Sequence, residues 1–200
     1  LPGNAVAGPG DLDGDGYDDV IVGAPRYNAP DEREGAVFVF YGSANGIEDG
    51  GPTTAGAQLE GDQIDARFGT TVAAAGDVNA DGFPDFVVGA PRYDADQVDE
   101  GAAFVFLGGA EGIASGGPST AATQLEGDQT GNVVNTCEGL FGCSVAGGDW
   151  DGDGYSDVLV GSPYHDSGQI GEGLGFVFRG GQGGVASAGA GAADERFEAN

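Results

Sequence analysis

The sequence has no lysine and no methionine, and only one histidine and two cysteines among its 200 residues. All 6 basic residues are arginines, and the chain has 33 acidic residues, which gives a formal net charge of −27. A chain this acidic offers no basic surface for a phosphate backbone, so nucleic-acid binding is excluded. No apolar run approaches the roughly 20 residues that span a bilayer, so we expect no membrane insertion.

Large apolar residues are also scarce. Val, Leu, Ile and Phe make up about a fifth of the chain, whereas glycine alone contributes 42 residues. This composition lies close to that of disordered chains. Glycines recur every few positions without the apolar period of a helix, which disfavours helix throughout. A folded state therefore requires well-placed apolar residues and a ligand that neutralises part of the acid.

An internal repeat organises the chain. The segments GDLDGDGYDDVIVGAP, GDVNADGFPDFVVGAP and GDWDGDGYSDVLVGSP begin at Gly10, Gly76 and Gly148. They are followed by GAVFVFYG, GAAFVFLG and GLGFVFRG, and the blocks AQLEGDQ and TQLEGDQ close the first two units. We interpret residues 1–200 as a single domain, with repeats at approximately 1–64, 65–138 and 139–200.

Each repeat contains four short apolar stretches bounded by Gly, Pro and Asp, which predicts four β-strands. Runs such as residues 20–22 and 86–88 are continuous rather than alternating, so both faces of each sheet should be buried. Stacked four-stranded antiparallel sheets in repeats of this length predict an all-β fold, a β-propeller with one blade per repeat. A β-sandwich is the alternative.

The two ends of the chain bear on how such a fold would close. The C-terminal ADERFEAN resembles DARFGTT of the second repeat, which would place Phe197 at the position of Phe68. Three blades are fewer than the about four to eight of closed propellers. We therefore expect either a homodimer that closes a six-bladed ring or further repeats of a longer chain.

Acidic residues recur at fixed spacing in every repeat. Carboxylates this close repel one another unless a cation binds, and calcium takes roughly six to eight oxygens in flexible geometry. The glycine after the third acid permits a sharp turn, and the carbonyl two residues after that acid would complete the set. We predict three metal loops: loop 1 with Asp11, Asp13, Asp15, the Tyr17 carbonyl and Asp19; loop 2 with Asp77, Asn79, Asp81, the Phe83 carbonyl and Asp85; loop 3 with Asp149, Asp151, Asp153, the Tyr155 carbonyl and Asp157.

Other metal sites fit these loops less well. Magnesium would need places for retained water, and zinc would need histidine or cysteine in the loops. An EF-hand is excluded, because position twelve of each loop is a valine inside a predicted strand rather than a glutamate. The remaining acids are expected to be solvated surface residues, among them Asp31, Glu32, Asp94, Asp96 and Asp99.

At these residues the chain resembles the FG-GAP repeat family, which includes the blades of integrin alpha-subunit propellers and of related bacterial surface proteins. The motifs are Phe68-Gly69 and Phe141-Gly142, Gly23-Ala24-Pro25 and Gly89-Ala90-Pro91, and the three loops. The resemblance implies that each loop joins the first two strands of a blade and holds one structural calcium ion, three per chain. The departures are Pro2 for the first Phe, Ser162 for Ala, and Glu198 for the Gly after Phe197.

Four further residues invite functional interpretations. Cys137 and Cys143 suit a small disulfide-closed loop in an extracellular setting, with two reduced cysteines as the alternative. Trp150 could pack on a neighbouring blade or meet a ligand. His165 is expected at the surface, and no catalytic constellation accompanies it.

The sequence thus predicts a non-enzymatic, calcium-binding propeller module of an exported protein, extracellular or at the cell surface. The resemblance implies a role in adhesion or protein interaction, with an unidentified protein or glycan as ligand. One alternative is an accessory domain of a secreted hydrolase. Another is a carbohydrate-binding propeller, for which Tyr27, Tyr93 and Tyr164, which lies near the matching position of the third repeat, would supply the aromatic surface.

Overall fold

The computed structural model describes residues 5–28, 30–130, 140–168 and 170–198. Thirteen β-strands and three short 3-10 turns, Pro52–Thr54, Pro118–Thr120 and Ala190–Ala192, are assigned within these ranges. Among the described residues, no helix has the length and apolar character needed to cross a membrane.

The strands form three sheets, one for each repeat, in which neighbours along the chain pair antiparallel. The prediction of an all-β chain with four-stranded antiparallel sheets is confirmed. The short strand β12 (Ala188–Gly189) leaves the third repeat and pairs parallel with the last strand of the second sheet. Sheet 1 contains β1 (Ala5–Gly10), β2 (Asp19–Ala24), β3 (Ala36–Phe40) and β4 (Ala57–Glu60); sheet 2 contains β5 (Thr71–Gly76), β6 (Asp85–Ala90), β7 (Ala102–Phe106) and β8 (Thr123–Glu126); sheet 3 contains β9 (Ser144–Gly148), β10 (Asp157–Ser162), β11 (Leu174–Phe178) and β13 (Glu195–Glu198).

The middle strands are the most buried parts of the fold. Every residue of β6 and of β7 in sheet 2 is buried, as the continuous apolar runs predict. Residues 86–88 point alternately to the two sides of the sheet, so each side needs its own cover. Sheets 1 and 3 provide that cover.

Successive sheets pack through apolar faces. We call the face of a sheet that packs on the following sheet its trailing face, and the opposite face its leading face. One core cluster joins the trailing face of sheet 1 to the leading face of sheet 2, and a second joins sheet 2 to sheet 3 in the same way. The trailing residues are Leu12, Ile21, Val39 and Leu59 in sheet 1 and Val78, Val87, Val105 and Leu125 in sheet 2; the leading residues are Phe86, Val88, Phe104 and Phe106 in sheet 2 and Val158, Val160, Phe176 and Phe178 in sheet 3.

The FG and GAP motifs meet at these packed faces. Gly89, in the GAP motif of sheet 2, lies so close to the carbonyl of Gly142, in the FG motif of the next repeat, that a Cβ at Gly89 would collide with that backbone. Gly142 itself has a φ of +82°, a left-handed conformation that favours glycine. Both glycines are therefore required by the close approach of one sheet to the next.

Polar contacts also join neighbouring sheets. The Gln63 side chain donates to the backbone carbonyl of Asp94 at 2.8 Å, and Gln129 repeats this bond with Asp166 at 2.7 Å. Each glutamine thus ties the end of one repeat to the β2–β3-type loop of the next repeat.

The predicted match between the C-terminus and DARFGTT is wrong. β13 pairs with β11, and Leu174 faces Glu198 just as Ala36 faces Glu60 in sheet 1. Phe197 is therefore the counterpart of Leu59 and not of Phe68. The similarity to DARFGTT covered too few residues to outweigh the hydrogen-bonded register of the sheet.

Two predictions fall on residues outside the described ranges. Cys137 and the repeat boundary at 138/139 lie in the segment 131–139. The disulfide between Cys137 and Cys143 and that boundary remain predictions.

Candidate metal centres

The three acidic loops occupy equivalent places in the sheets. Each connects the first strand of its sheet to the second, as the family resemblance implied: loop 1 joins β1 to β2, loop 2 joins β5 to β6, and loop 3 joins β9 to β10. Because the flanking strands are paired, the ends of each loop are held together.

Hydrogen bonds from the backbone fold loop 1 around its first acid. The Asp11 carboxylate accepts N–H bonds from Gly14 at 2.7 Å, Asp15 at 3.0 Å and Gly16 at 2.8 Å. The Asp15 carboxylate accepts the N–H of Tyr17 at 2.9 Å. Bonds of the same kind recur in loop 2, on Asp77 and Asp81, and in loop 3, on Asp149 and Asp153.

The glycine after the third acid has the conformation that the sequence predicts. Gly16, Gly82 and Gly154 have φ angles of +96°, +94° and +95°. The fourth loop position is also left-handed, with Gly14 and Gly152 in two loops and Ala80 at +55° in loop 2. Sequence reasoning overlooked that second turn because an alanine occupies it in one copy.

The ninth loop position fixes each loop to its own sheet. Asp19 is buried, and its two carboxylate oxygens accept N–H bonds from Leu12 at 2.7 Å and from Gly42 at 2.8 Å. Asp85 makes the same pair of bonds, with Val78 at 2.7 Å and Gly108 at 2.9 Å. Asp157 does so with Trp150 at 3.1 Å and Gly180 at 3.0 Å.

The predicted carboxylates converge in loops 1 and 3. Oxygens of Asp11, Asp13 and Asp15 lie within 4.8 Å of one another, and so do oxygens of Asp149, Asp151 and Asp157. In loop 2, the Asn79 amide donates to Asp81 at 2.9 Å, which brings these two side chains together. The Tyr17, Phe83 and Tyr155 carbonyls lie on the same turns, and their role as ligands stays a prediction.

The donor chemistry of these loops fits calcium. All the predicted side-chain donors are oxygens, mostly carboxylates on short side chains, as a hard cation prefers. Burial, more than the neighbouring Asp81 and Asp77, raises the pKa of Asp85 to about 6. Burial also raises the pKa of Asp19, with Asp13 and Asp11 contributing. A divalent cation would offset the charge that these environments disfavour.

Loop 3 differs from the other two by an arginine at its side. Arg179 pairs with Asp151 at 3.2 Å and with Glu195 at 2.9 Å. The corresponding residues after β3 and β7 are Tyr41 and Leu107. Loop 3 therefore has a protein cation next to one of its predicted ligands.

Two acidic clusters lie outside the predicted loops. Glu34 and Glu100, before β3 and β7, are almost fully buried, and each groups with the acids that end the repeat, Glu60 and Asp62 or Glu126 and Asp128. Glu100 accepts N–H bonds from Asp96 at 2.6 Å and Gln97 at 2.7 Å, and Glu34 accepts one from Asp31 at 3.1 Å. These bonds give the glutamates a structural role. The recurring Glu-Gly before the third strand was the signal for them.

His165 is not the surface residue that we predicted. It is half-buried, and its ring packs edge-on against the ring of Phe176, with 4.9 Å between the ring centroids. Tyr27 packs on Phe38 and Tyr93 packs on Phe104 in the same way. The third-repeat counterpart of these tyrosines is therefore His165 and not Tyr164. Because the rings of Tyr27, Tyr93 and His165 pack against buried phenylalanines, these three residues do not form the exposed aromatic surface that a carbohydrate-binding propeller would need.

Comparisons with known proteins agree with the repeat pattern. The model of the FG-GAP repeat matches residues 3–40, 68–106 and 141–192. Bovine (Bos taurus) phosphatidylinositol-glycan-specific phospholipase D is 34% identical over 176 residues, which are 84% of this chain and 19% of that protein. Integrin alpha-7 of Rattus norvegicus is 40% identical over 154 residues, 76% of this chain and 12% of that protein. Integrin alpha-PS2 of Drosophila melanogaster is 36% identical over 175 residues, 84% of this chain and 11% of that protein. The chain thus spans a fifth or less of these relatives.

Proposed function

Because this chain belongs to the FG-GAP repeat family, we propose that it is a non-catalytic, calcium-stabilised module of a β-propeller in an exported protein. Loops 1, 2 and 3 each bind one calcium ion. The observation that carries the proposal is the convergence of carboxylate oxygens within 4.8 Å in loops 1 and 3, on a scaffold of backbone hydrogen bonds that all three loops share.

Calcium in these loops stabilises the fold rather than performing chemistry. The aspartate at the ninth position of each loop accepts a hydrogen bond from the residue that follows the third strand of the sheet. A cation bound in the loop would therefore hold the first three strands together. Three divalent ions would also offset part of the net charge of −27. Binding to the folded state alone stabilises it by about 2.7 kcal/mol per site when free calcium is 100 times the dissociation constant.

The experiment is calorimetric titration of calcium into protein stripped with a chelator, followed by thermal unfolding with and without the ion. We expect three sites per chain and a higher unfolding temperature with calcium. Asp13→Asn should weaken one site, whereas Glu111→Gln, which removes an exposed charge outside the loops, should weaken none. Absence of binding heat together with an unchanged unfolding temperature would contradict the proposal.

For the biological role we propose adhesion or protein interaction outside the cell. The similarity to two integrin alpha chains supports it. The similarity to phosphatidylinositol-glycan-specific phospholipase D supports the second candidate, an accessory domain beside a hydrolase. A fold does not fix a function. The test is the gene context: a catalytic domain encoded in the same chain favours the second candidate, and a surface anchor favours adhesion.

A further inference from the structure

Four of the 6 arginines of the chain lie on three neighbouring loops where sheets 1 and 2 meet. Loop A (residues 25–28 and 30–35) follows β2, loop B (residues 61–70) joins β4 to β5, and loop C (residues 91–101) joins β6 to β7. Because loops 1, 2 and 3 join the first two strands of each sheet, loops A, B and C lie at the opposite ends of the strands. The arginines are Arg26 and Arg33 in loop A, Arg67 in loop B and Arg92 in loop C.

Backbone hydrogen bonds hold the three loops together. The Arg67 N–H donates to the Arg33 carbonyl at 3.3 Å, and the Arg92 N–H donates to the Ala66 carbonyl at 3.3 Å. The Arg33 guanidinium also donates two bonds to the carboxylate of Asp65, at 2.7 and 2.6 Å. The four arginines, which we call the arginine cluster, are therefore positioned between two sheets of the same chain.

The repeat itself shows that the fold does not require this cluster. At the junction of sheets 2 and 3, the residue before the FG motif is Leu140, where the junction of sheets 1 and 2 has Arg67. The residue after the GAP-type motif of sheet 3 is Tyr164, where sheet 2 has Arg92. Two junctions of the same architecture thus differ in charge, and the arginines are a property of one of them.

Positive charge in the cluster is only partly compensated. The Arg67 side chain is 14% exposed, and its Nε lies 3.8 Å from the Asp65 carboxylate. Burial, and then the charge of Arg92, lowers the pKa of Arg67 below its usual range, and the charges of Arg26 and Arg33 act in the same direction. Asp65 opposes these effects less strongly than Arg92 contributes to them. An added anion would relieve this repulsion.

Arg92 gives the second sign that an anion belongs here. Its Nε is buried and has no hydrogen-bond partner among the described residues, and no described carboxylate forms an ion pair with it. Asp99 lies nearby, but burial raises the pKa of Asp99 more than Arg92 lowers it. Leaving a buried donor without a partner is unfavourable, and ionisable groups in unfavourable surroundings are concentrated at functional sites.

Two exposed aliphatic side chains accompany the cluster. Ile64, next to Asp65 in loop B, is 68% exposed, and Val98, next to Asp99 in loop C, is 61% exposed. The Gln63 side chain joins the two loops, because it accepts the N–H of Asp94 at 2.9 Å in addition to its bond to the Asp94 carbonyl. A surface that combines arginines with exposed aliphatic residues has the composition of a protein interface.

The charge of the whole chain narrows the class of ligand. A guanidinium group binds carboxylate, sulfate and phosphate through paired hydrogen bonds. The net charge of −27 repels polyanions such as sulfated glycans. A single carboxylate in an otherwise apolar segment is repelled much less and forms the same local bonds.

We propose that the arginine cluster binds a single carboxylate from a peptide segment of a protein partner, with Arg67 and Arg92 as its central contacts. Ile64 and Val98 contact the apolar residues beside that carboxylate. This inference rests on the proposed role in protein interaction and names the chemistry of the partner. It does not depend on calcium in loops 1, 2 and 3, which lie at the other ends of the strands.

The first experiment follows the Nε–H signals of the 6 arginines by NMR in saturating calcium. The probe is the capped peptide N-acetyl-Leu-Glu-Leu-amide, added at constant ionic strength. We expect the signals of Arg67 and Arg92 to shift together with a dissociation constant in the millimolar range, while the signal of Arg196, an exposed residue of β13, stays in place. The peptide with Gln in place of Glu should shift neither signal. Sodium sulfate that binds as tightly as the Glu peptide would overturn the assignment to a peptide carboxylate.

The second experiment repeats the peptide titration on variants whose fold is checked by circular dichroism. Arg92→Gln should weaken binding about tenfold, because it removes a charged hydrogen-bond donor. Arg26→Gln, at an exposed residue, should weaken it about twofold. Arg196→Gln is the matched control, since it removes the same charge outside the cluster, and it should bind like the unchanged protein.

Two results would overturn the inference: a Glu peptide that shifts no arginine signal, or equal binding by Arg92→Gln and Arg196→Gln. Calorimetric titration of calcium into the same samples separates this failure from that of the proposed function. If three calcium sites are still found, only the carboxylate site is rejected.

Discussion

Sheets 2 and 3 are formed by two copies of the same sequence repeat and connect their four strands in the same order, but their fourth strands lie in different surroundings. β8 of sheet 2 alternates buried and half-buried residues, whereas all four residues of β13 are exposed. Leu125 is fully buried and its counterpart Phe197 is 58% exposed. The pairing of strands is therefore specified within a repeat, while burial depends on the neighbouring sheet.

The comparison predicts unequal costs for removing an aromatic ring. Phe104→Ala, inside the core between sheets 1 and 2, should lower the free energy of unfolding by about 3–5 kcal/mol. Phe197→Ala should lower it by less than about 0.5 kcal/mol in dilute monomer, because the ring has little cover to lose. Denaturant titration of both variants measures this, and equal losses would contradict the comparison.

Removing the aspartate at the ninth loop position should lower the free energy of unfolding more in loop 2 than in loop 3. Asp85→Ala leaves the N–H groups of Val78 and Gly108 without their partner in a buried site, at a cost of about 2–4 kcal/mol that should persist in chelator. Asp157→Ala should cost less, because its bonds are longer and water can reach the open side of sheet 3. If both losses disappear in chelator, the residues act only through calcium.

Arg179 offers a way to make loop 3 resemble loop 2. Arg179→Leu installs the residue of sheet 2 and frees Asp151, so the calcium affinity of loop 3 should rise about two- to fivefold. Terbium luminescence excited through Trp150 reports on this loop, because Trp150 is the sole tryptophan of the sequence and lies in loop 3. Arg26→Leu is the control and should leave the luminescence titration unchanged.

The smallest expected difference concerns pH. Burial, and then the charge of Arg196, lowers the pKa of His165 below its usual 6.5. The unfolded chain then binds the proton more readily, so stability is lost as the pH falls below about 6.5. His165→Tyr, which installs the residue of sheet 2, should remove this part of the loss. The denaturation midpoints of the unchanged protein and of His165→Tyr at pH 7.5 and pH 5.5 measure this loss. If the midpoint falls by the same amount in both proteins, His165 does not cause the loss.

Features that repeat in the sequence could be predicted, and features that depend on contacts between repeats could not. The spacing of the aspartates predicted the loops, and the apolar runs predicted strands buried on both faces. Glu34 and Glu100 were missed because the recurring Glu-Gly marks a shared turn but does not reveal the backbone N–H groups that bind the carboxylate. The place of Phe197 was predicted wrongly because three identical residues constrain the alignment less than the hydrogen-bonded register of the strand does.

The glutamine bonds and the parallel pairing of β12 with β8 connect only adjacent sheets. A molecule joined in this way behaves as a row of units with nearest-neighbour coupling, whose opening begins at an end. Amide hydrogens of β13 should therefore exchange with solvent fastest among the paired strands, and those of β6 and β7 slowest. Each sheet would then be stabilised by its neighbour on the side of sheet 2. Any structure that covers sheet 3 would therefore slow the exchange of amide hydrogens in the other sheets as well.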